Sequence, residues 1–421
     1  MHFKTLQEEH TFLVHVSFRI FDPYYDITKD EVDRVTEGKI DPKTGQPTGK
    51  ATLKLKNGDE LMGTFKPGYV RQGRGSVEGE TLLKHGILCI RGFYKDSVLT
   101  GEGRANVDGG GMWPSVKQRL LFEGVFNDGY LEGPVRAIDE SDGNLVFAGR
   151  YERGLPSGPC WLRREGQGWI YGDVNPADGR FTGTNIAYVY PDLSTCLHGE
   201  FANETLVSAT AKEVADADLD ESGIMCLKLR DNPGRIVYER TVSTIDKITC
   251  PWTTADPYES ETVVCRQSQV PHAGDGLFAR TDLPAERIVS YYNGLIVPGP
   301  DPQTGREPLY ASSSAGNYQI YVDWRHTDNS PYVDVPLEAT DFARYSASLA
   351  HKANHSFAPN CVYVTADHPR FGRIPALKTL REISAGEELF SHYKYDMVLA
   401  PSWYQEAWET FSLEGNLSSS A

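Results

Sequence analysis

The stretch LAHKANHSFAPNC, residues 349–361, gathers side chains of several chemistries in one place. His351 and His355 stand at i and i+4, the spacing that sets two imidazoles on one helical face and suits a metal ion. A zincin would carry glutamate after the first histidine. Here Lys352 follows it, a poor neighbour for a cation, and a third ligand would have to be Cys361 or a distant residue. Cys361 as a nucleophile fares no better, because it follows Pro359 and Asn360 with no base set beside it. A polar turn, in which the asparagine side chains bond backbone groups, accounts for the same residues without any chemistry.

Other stretches change the weighing. GDGLFA (274–279) and SYYNG (290–294) precede this one, and GEELFSHYKYD (386–396) follows it. Each alone is weak, since a Gly-x-Gly is usually a turn and Glu-Glu-Leu usually a strand edge. Taken in this order and spacing, GxGLFA, YNG, NHSxxPNC and GEELxxxYxYD resemble a SET domain, the catalytic fold of protein-lysine methyltransferases, over about residues 256–421.

The resemblance implies S-adenosyl-L-methionine as cofactor and a role for each matching residue. Asn354 and His355 would hold the cofactor's amino-acid end and adenine, and Gly274, Asp275 and Gly276 would let the backbone approach its methionine portion. The NHS and YxY segments would cross in the family's pseudoknot and bring Tyr393 towards the methyl group. Tyr393 is the first choice for a catalytic residue. Tyr292, Tyr363 and Tyr395 complete the catalytic candidates and line the substrate lysine's channel. A tyrosine at position 363 implies stopping after one methyl group.

The chemistry explains these residue types. Methyl transfer from a sulfonium to an amine is an in-line displacement, so positioning two partners is most of the work. At neutral pH only about one free lysine in a few thousand is deprotonated. A narrow apolar channel lowers that pKa by desolvating the ammonium. Tyrosine suits such a channel, because its ring excludes water while its hydroxyl orients the amine or accepts weak C–H bonds. Nothing in this reaction asks for a metal.

The chain departs from the family in places. It has no cysteine after Cys361, so the zinc-closing CxCxxxxC cluster of many SET enzymes is absent. A helix starting after Pro401, with Trp403, Ala407 and Phe411 at four-residue spacing, is expected to close the pocket, with Trp403 covering the adenine. Lys394 stands where the family usually has glycine. The segment 298–324 is longer than the family's and is expected near the peptide groove, with Asn317 as a substrate-binding candidate.

These residues need elements to position them, and the chain has two grammars. From about residue 40 to 205 a phrase recurs: glycine, any residue, an aromatic or valine, then a second glycine. It begins at Gly63, Gly92, Gly124, Gly149, Gly172 and Gly199, with steps of 29, 32, 25, 23 and 27 residues. Each unit reads as a β-hairpin with an inward aromatic and with glycines at turns that take positive φ. One hairpin cannot bury its apolar face alone, so stacked neighbours must share a core. The phrases resemble MORN repeats, though the fuller YEGxxxxGxxxGxG appears nowhere intact. ATAKEVADADLDESG (209–223) reads as an exposed connection or a short helix. The stretch after it alternates like irregular strands around an Asn-Pro-Gly turn. From Asp256 on, short strands alternate with turns, the first of them in DPYESETVVCRQSQV, and SLAHKANHS holds one helical turn.

The expected fold is therefore mostly β. A stacked-hairpin repeat domain spans 1–205, a connecting segment 206–255, and a SET methyltransferase domain with a C-terminal helix 256–421. As a whole the chain resembles the MORN-plus-SET histone-lysine N-methyltransferases, of the type that monomethylates lysine-4 of the histone-3 tail. A net charge of −16 disfavours direct binding to nucleic acid or an anionic membrane and favours a basic partner, such as a histone tail or another lysine-bearing protein. No run approaches the roughly 18 consecutive apolar residues of a membrane span. Seven dispersed cysteines with no CxxC pair fit a reducing, intracellular home, and the resemblance implies the nucleus, at chromatin, and also the cytoplasm. The protein is expected to act as a monomer. The rival from another class is an inert SET and MORN scaffold that binds other proteins, against which the intact Tyr292, Asn354, His355, Tyr363 and Tyr393 argue.

Overall fold

Alternating apolar and polar residues, broken repeatedly by glycine, build most of the described residues into strands, nearly all of them antiparallel. The computed structural model describes residues 27–28, 32–43, 45–56, 58–66, 74–85, 88–95, 98–108, 119–128, 130–164, 168–175, 180–221, 224–231, 236–240, 242, 254–301, 303–306, 309–310, 317–323, 330–341 and 347–418. They form two compact units. One comprises residues up to Val189 with Cys196–Val237, and the other Tyr190–Thr195 with the chain from Tyr238 onward.

The first unit is a meander in which strands pair with their neighbours in sequence. Val32–Ile40 pairs with Pro47–Leu55, that strand with Glu60–Lys66, and so on through Leu88–Lys95, Val98–Asp108, Arg119–Asn127 and Tyr130–Asp139. The series ends in the long hairpin Thr205–Leu219 with Met225–Asp231. The recurring phrase explains the packing. The residue two after each leading glycine turns inward, so Phe65, Tyr94, Phe126 and Tyr151 share one buried cluster with Leu53, Leu61, Leu99 and Leu131. The leading glycine makes room for a leucine of the returning strand. A Cβ on Gly92 would stand 2.3 Å from Leu99 Cδ1, and one on Gly124 2.9 Å from Leu131 Cδ2.

Two local expectations are corrected here. Of the glycines that take positive φ, Gly154 (80°) holds the expected turn position, but Gly101 (74°) and Gly133 (77°) lie in the returning strands beside register shifts, and Asp128, Arg153 and Asn203 also take left-handed turn positions. Residues 209–219 are neither a connection nor a helix. They are strand, with Lys212–Leu219 paired to Met225–Asp231, so the ladder satisfies backbone groups that a polar loop would leave to water. Residues 67–73 of the first phrase and the Asn-Pro-Gly turn at 232–234 lie outside the described residues.

The second unit joins small sheets. Ile288–Tyr291, Gly372–Thr379 and Cys361–His368 form one, with Gly372–Thr379 central. Leu295–Val297, Tyr332–Asp334 and Gln319–Tyr321 form another. Val263–Gln267 pairs with Asp275–Ala279, and Asn354–His355 runs parallel to Phe390–Ser391. DPYESETVVCRQSQV is not all strand, for its first half is a helical turn, Glu259–Thr262. Asp256 Oδ1 accepts the amides of Tyr258 and Glu259 at 3.1 Å each, with Pro257 in the first turn, as a helix start requires.

The helix Ser402–Ser418 follows Pro401 as expected, but its buried face differs from the 403/407/411 stripe. Tyr404 is enclosed, Trp403 and Phe411 are exposed at 47% and 40%, and Trp408 and Phe411 lean on Phe357.

Candidate active site

The parallel pairing of Asn354–His355 with Phe390–Ser391 decides where the candidate residues meet. It carries the chain from the NHS motif alongside the segment that ends in Tyr393 and Tyr395. The Tyr393 amide donates to His355 Nδ1 at 3.1 Å, and the Tyr393 hydroxyl to the Ala353 carbonyl at 3.0 Å. The Tyr363 hydroxyl donates to the Ala350 carbonyl at 2.8 Å. Both carbonyls belong to the LAHKANHS stretch, so it serves as an acceptor backbone for two tyrosines.

Tyr292 completes the cluster. Its ring lies edge-on to Tyr363 at 5.8 Å and to His351 at 6.1 Å. Tyr395 meets Tyr393 at 5.8 Å, and Trp403 stands 6.4 Å from both of them. Burial is the main cause of the high phenol pKa values. It pushes Tyr292 and Tyr363 well above the usual tyrosine range, with neighbouring tyrosines adding to the effect. Tyr393 is raised in the same way, by burial and then Tyr395. At neutral pH these groups stay protonated and act as hydroxyls.

A polar cradle lies beside the tyrosines. Asn354 Nδ2 donates to the Asp275 carbonyl and to Glu388 Oε1, both at 3.1 Å. Glu388 also accepts the Ser268 hydroxyl at 2.6 Å and the Gln269 amide at 2.9 Å. Gly276 permits this approach, for a Cβ there would stand 2.3 Å from Glu388 Oε1. Gly274 takes φ +73° at the turn before it. Lys352 Nζ reaches Asp275 Oδ2 at 3.1 Å and the Thr340 carbonyl at 2.5 Å. Burial and the neighbouring His392 lower the His355 pKa to about 4, so the ring is neutral. Its Nδ1 accepts from the Tyr393 amide, and its Nε2 is buried and pairs with no described group.

Residues 151–221 match the family described as "Histone H3 K4-specific methyltransferase SET7 N-terminal", and residues 274–394 match the SET domain. A curated relative, "Histone-lysine N-methyltransferase SETD7" from Halocynthia roretzi, is 35% identical over 285 residues, covering 65% of this chain and 70% of the relative. The chain belongs to the SETD7 family of histone-lysine N-methyltransferases. It is a SET-domain lysine methyltransferase, and enzymes of this class use S-adenosylmethionine.

Within this SETD7-type site the sequence candidates divide. Tyr292, Tyr363, Tyr393, Tyr395, Asn354, His355, Asp275, Gly276 and Trp403 adjoin one another through the contacts above. Asn317 is exposed on the turn before Gln319–Tyr321. Its neighbour Tyr318 is the one that reaches inward, edge-on to His351 at 6.2 Å. Residues 302, 307–308, 311–316 and 324 of the long segment lie outside the described residues. His351 and His355 share no helical face, since the single helical turn ends at Lys352 and His355 is already in strand. Cys361 is fully buried, and burial pushes its thiol up to about 12, which leaves it inert. Lys352 and Glu388 were the chemistry that spacing alone did not expose. In sequence Lys352 reads only as a poor neighbour for a metal, and Glu388 only as part of a strand edge.

Proposed function

We propose that this protein moves a single methyl group from S-adenosyl-L-methionine to a lysine ε-amine, with the histone tail as its first protein substrate. The observation that carries this reading is the pair of anchored tyrosine hydroxyls, buried Tyr363 on Ala350 and part-buried Tyr393 on Ala353, with Tyr292 edge-on to Tyr363. A lysine side chain entering between such rings loses water, which favours the neutral amine the reaction needs. A hydroxyl anchored at Tyr363 both orients that amine and takes up the space a second methyl group would need.

The cofactor's amino-acid end fits the polar cradle. Asn354 offers an amide, Lys352 an ammonium that is only 7% exposed, and the Asp275 segment a backbone edge kept open at Gly276. The buried Nε2 of His355 and the half-exposed Trp403 ring, 6.0 Å from His355, suit an aromatic base. When bound, the cofactor supplies an electrophilic sulfonium methyl. This chain's residues align the amine, exclude water and hold their own protons. The methyltransferase domain is taken as residues 256–421 and the repeat domain as 1–205, with 206–255 between them carrying the hairpin that ends the first unit's sheet. The repeat domain serves as a spacer or as a surface for a protein partner. A histone substrate places the action in the nucleus.

Incubating the full chain with labelled S-adenosylmethionine, core histones and tail peptides tests the reading, with Tyr393→Phe as control. Monomethyl-lysine by mass spectrometry is expected. Abundant trimethyl-lysine would refute the single-transfer claim, and absence of both labelling and cofactor binding would leave the scaffold alternative standing.

A further inference from the structure

Glu259 carries a buried carboxyl group that the reading above does not use. It lies in the helical turn Glu259–Thr262 and is 1% exposed. Its Oε1 accepts three hydrogen bonds, from the Ser290 hydroxyl, the Tyr291 amide at 3.2 Å and the Leu349 amide at 2.8 Å. No described group donates to the buried Oε2. The same side chain borders a cavity of about 150 Å³ lined also by Val263, Cys265, Arg280 and Leu349.

The three donors come from two segments that end in the tyrosine cluster. Tyr291 is joined to Tyr292, and Leu349 to Ala350, whose carbonyl takes the Tyr363 hydroxyl. One oxygen atom therefore ties the backbone behind Tyr292 to the backbone that fixes Tyr363. Holding a carboxyl here is costly. Burial raises the Glu259 pKa to about 8, and the charge of Asp256 adds to the rise. An apolar side chain could fill the same volume and the adjoining cavity without that cost, but it would offer the two amides no acceptor.

We propose that Glu259 is a positioning residue for methyl transfer, setting the spacing between Tyr292 and Tyr363 and through it the number of methyl groups the lysine receives. This rests on the lysine-channel reading of those tyrosines. A shorter or missing acceptor lets the two segments part, so the channel widens and the amine is held less well. The effect falls on turnover and product state rather than on cofactor affinity, because Asn354 and Lys352 bond to other groups.

Three variants of the full chain test this: Glu259→Gln, which keeps an oxygen acceptor, Glu259→Asp, which withdraws it by one methylene, and Glu259→Ala. Turnover, cofactor affinity and product mass are read on a histone-3 tail peptide, and hydrogen exchange follows the amides of Tyr291 and Leu349. Glu259→Gln is expected within about threefold of the parent and monomethylating, since one hydrogen-bond acceptor replaces another. Glu259→Ala is expected to lose about tenfold or more in kcat, to release dimethyl-lysine and to exchange both amides faster, with Glu259→Asp between. If Glu259→Ala fails to fold, the Asp variant carries the same comparison. Losses that merely follow the folded fraction, with product still monomethyl, overturn the proposal. Unchanged exchange at the two amides overturns it whether or not the enzyme turns over. A parent protein that methylates nothing defeats the functional reading instead, and the exchange result then stands on its own.

Discussion

The repeat sheet and the SET unit are both mostly β and largely antiparallel, yet their contacts span different stretches of chain. In the sheet Tyr94 pairs with Leu99 and Asn127 with Tyr130, so each strand is fixed by the next one along. In the SET unit Ile288 faces Lys378, Asn354 faces Phe390, and the Ser268 hydroxyl meets Glu388 120 residues away. Local pairings close short loops and form readily, and repeated units bury a core by addition. Remote pairings cost more chain entropy but hold several segments around one point. Such a point can position chemistry, whereas a row of hairpins offers length and surface.

The largest effect expected from this contrast is in the sheet core. Phe126→Ala removes a 2% exposed ring shared by Leu99 and Leu131, and should cost about 3–5 kcal/mol in denaturant unfolding. At temperatures where the variant is still folded, its methyl transfer rate should match the parent's. A matched fall in rate would erase the distinction between spacer and site. Next comes Tyr393→Phe, which removes a hydroxyl bonded to Ala353 while leaving the ring among Tyr395, Trp403 and His355. Turnover should drop about a hundredfold, the scale for one preorganised hydrogen-bonding group, with unfolding stability down by about 1 kcal/mol. Equal losses in rate and stability would mean the tyrosine is only a packed aromatic.

Sequence and structure agree best where a signal is local. Glycine, a spacer and an aromatic sufficed for the inward Phe65, Tyr94, Phe126 and Tyr151, because period and side-chain alternation state the same fact. The motif residues also came together as their order implied, Asn354 and His355 beside Tyr393. Bulged glycines inside strands were not legible, since a positive φ reads as a turn from sequence alone. Residues 209–219 looked like a loop because their polar side chains say nothing of the ladder that holds their backbone. Glu259 and Glu388 were hidden for the opposite reason. Their partners Leu349 and Ser268 are remote in sequence, and only folding sets them at bonding distance. The Asp-Pro-x-Glu start at 256–259 was readable as a helix beginning, and strand periodicity in the residues after it masked it.

A smaller effect is expected from pH. Burial lowers the pKa of His351 to about 3, with the charge of Lys352 adding to it, and that of His355 to about 4. Unfolded histidine titrates near pH 6.5. Stability should therefore be full above about pH 6.5 and fall as pH drops towards 4, because the unfolded chain takes up protons that the folded rings refuse. Thermal midpoints between pH 7 and pH 4 check this, and a His351→Gln variant should flatten the slope. A slope unchanged by the substitution would assign it to carboxylates elsewhere.

Lys394 gives a smaller shift again, upward. It holds φ +54° where the resemblance places glycine, and its amide donates to His392 Nδ1 at 3.0 Å. The left-handed region strains a side chain by about 1 kcal/mol, so Lys394→Gly should raise stability by about that amount with Tyr393-dependent turnover preserved. A lower stability would show that the lysine side chain outweighs its backbone cost.

The least effect of all is expected from an ion pair on the sheet, and a second pair shows why. Lys228 Nζ lies 2.8 Å from Asp216 Oδ2, closer than the 3.1 Å between Lys352 and Asp275. By distance the sheet pair is the stronger. The two carboxylates are alike, Asp216 50% and Asp275 48% exposed, but Lys228 is 71% exposed whereas Lys352 is 7% exposed and has the Thr340 carbonyl as its other partner. Water and salt screen the first pair, and holding two long side chains together costs entropy that offsets the attraction. Removing the carboxylate beside Lys352 strands a charge that water barely reaches. Asp216→Asn should therefore leave the unfolding midpoint unchanged at physiological salt, although the bond to Lys228 lowers the Asp216 pKa. Asp275→Asn should cost about 1 kcal/mol or more under the same conditions. If the two variants lose equally, separation rather than enclosure governs these charges, and Lys352 loses its claim to a special place beside the cofactor.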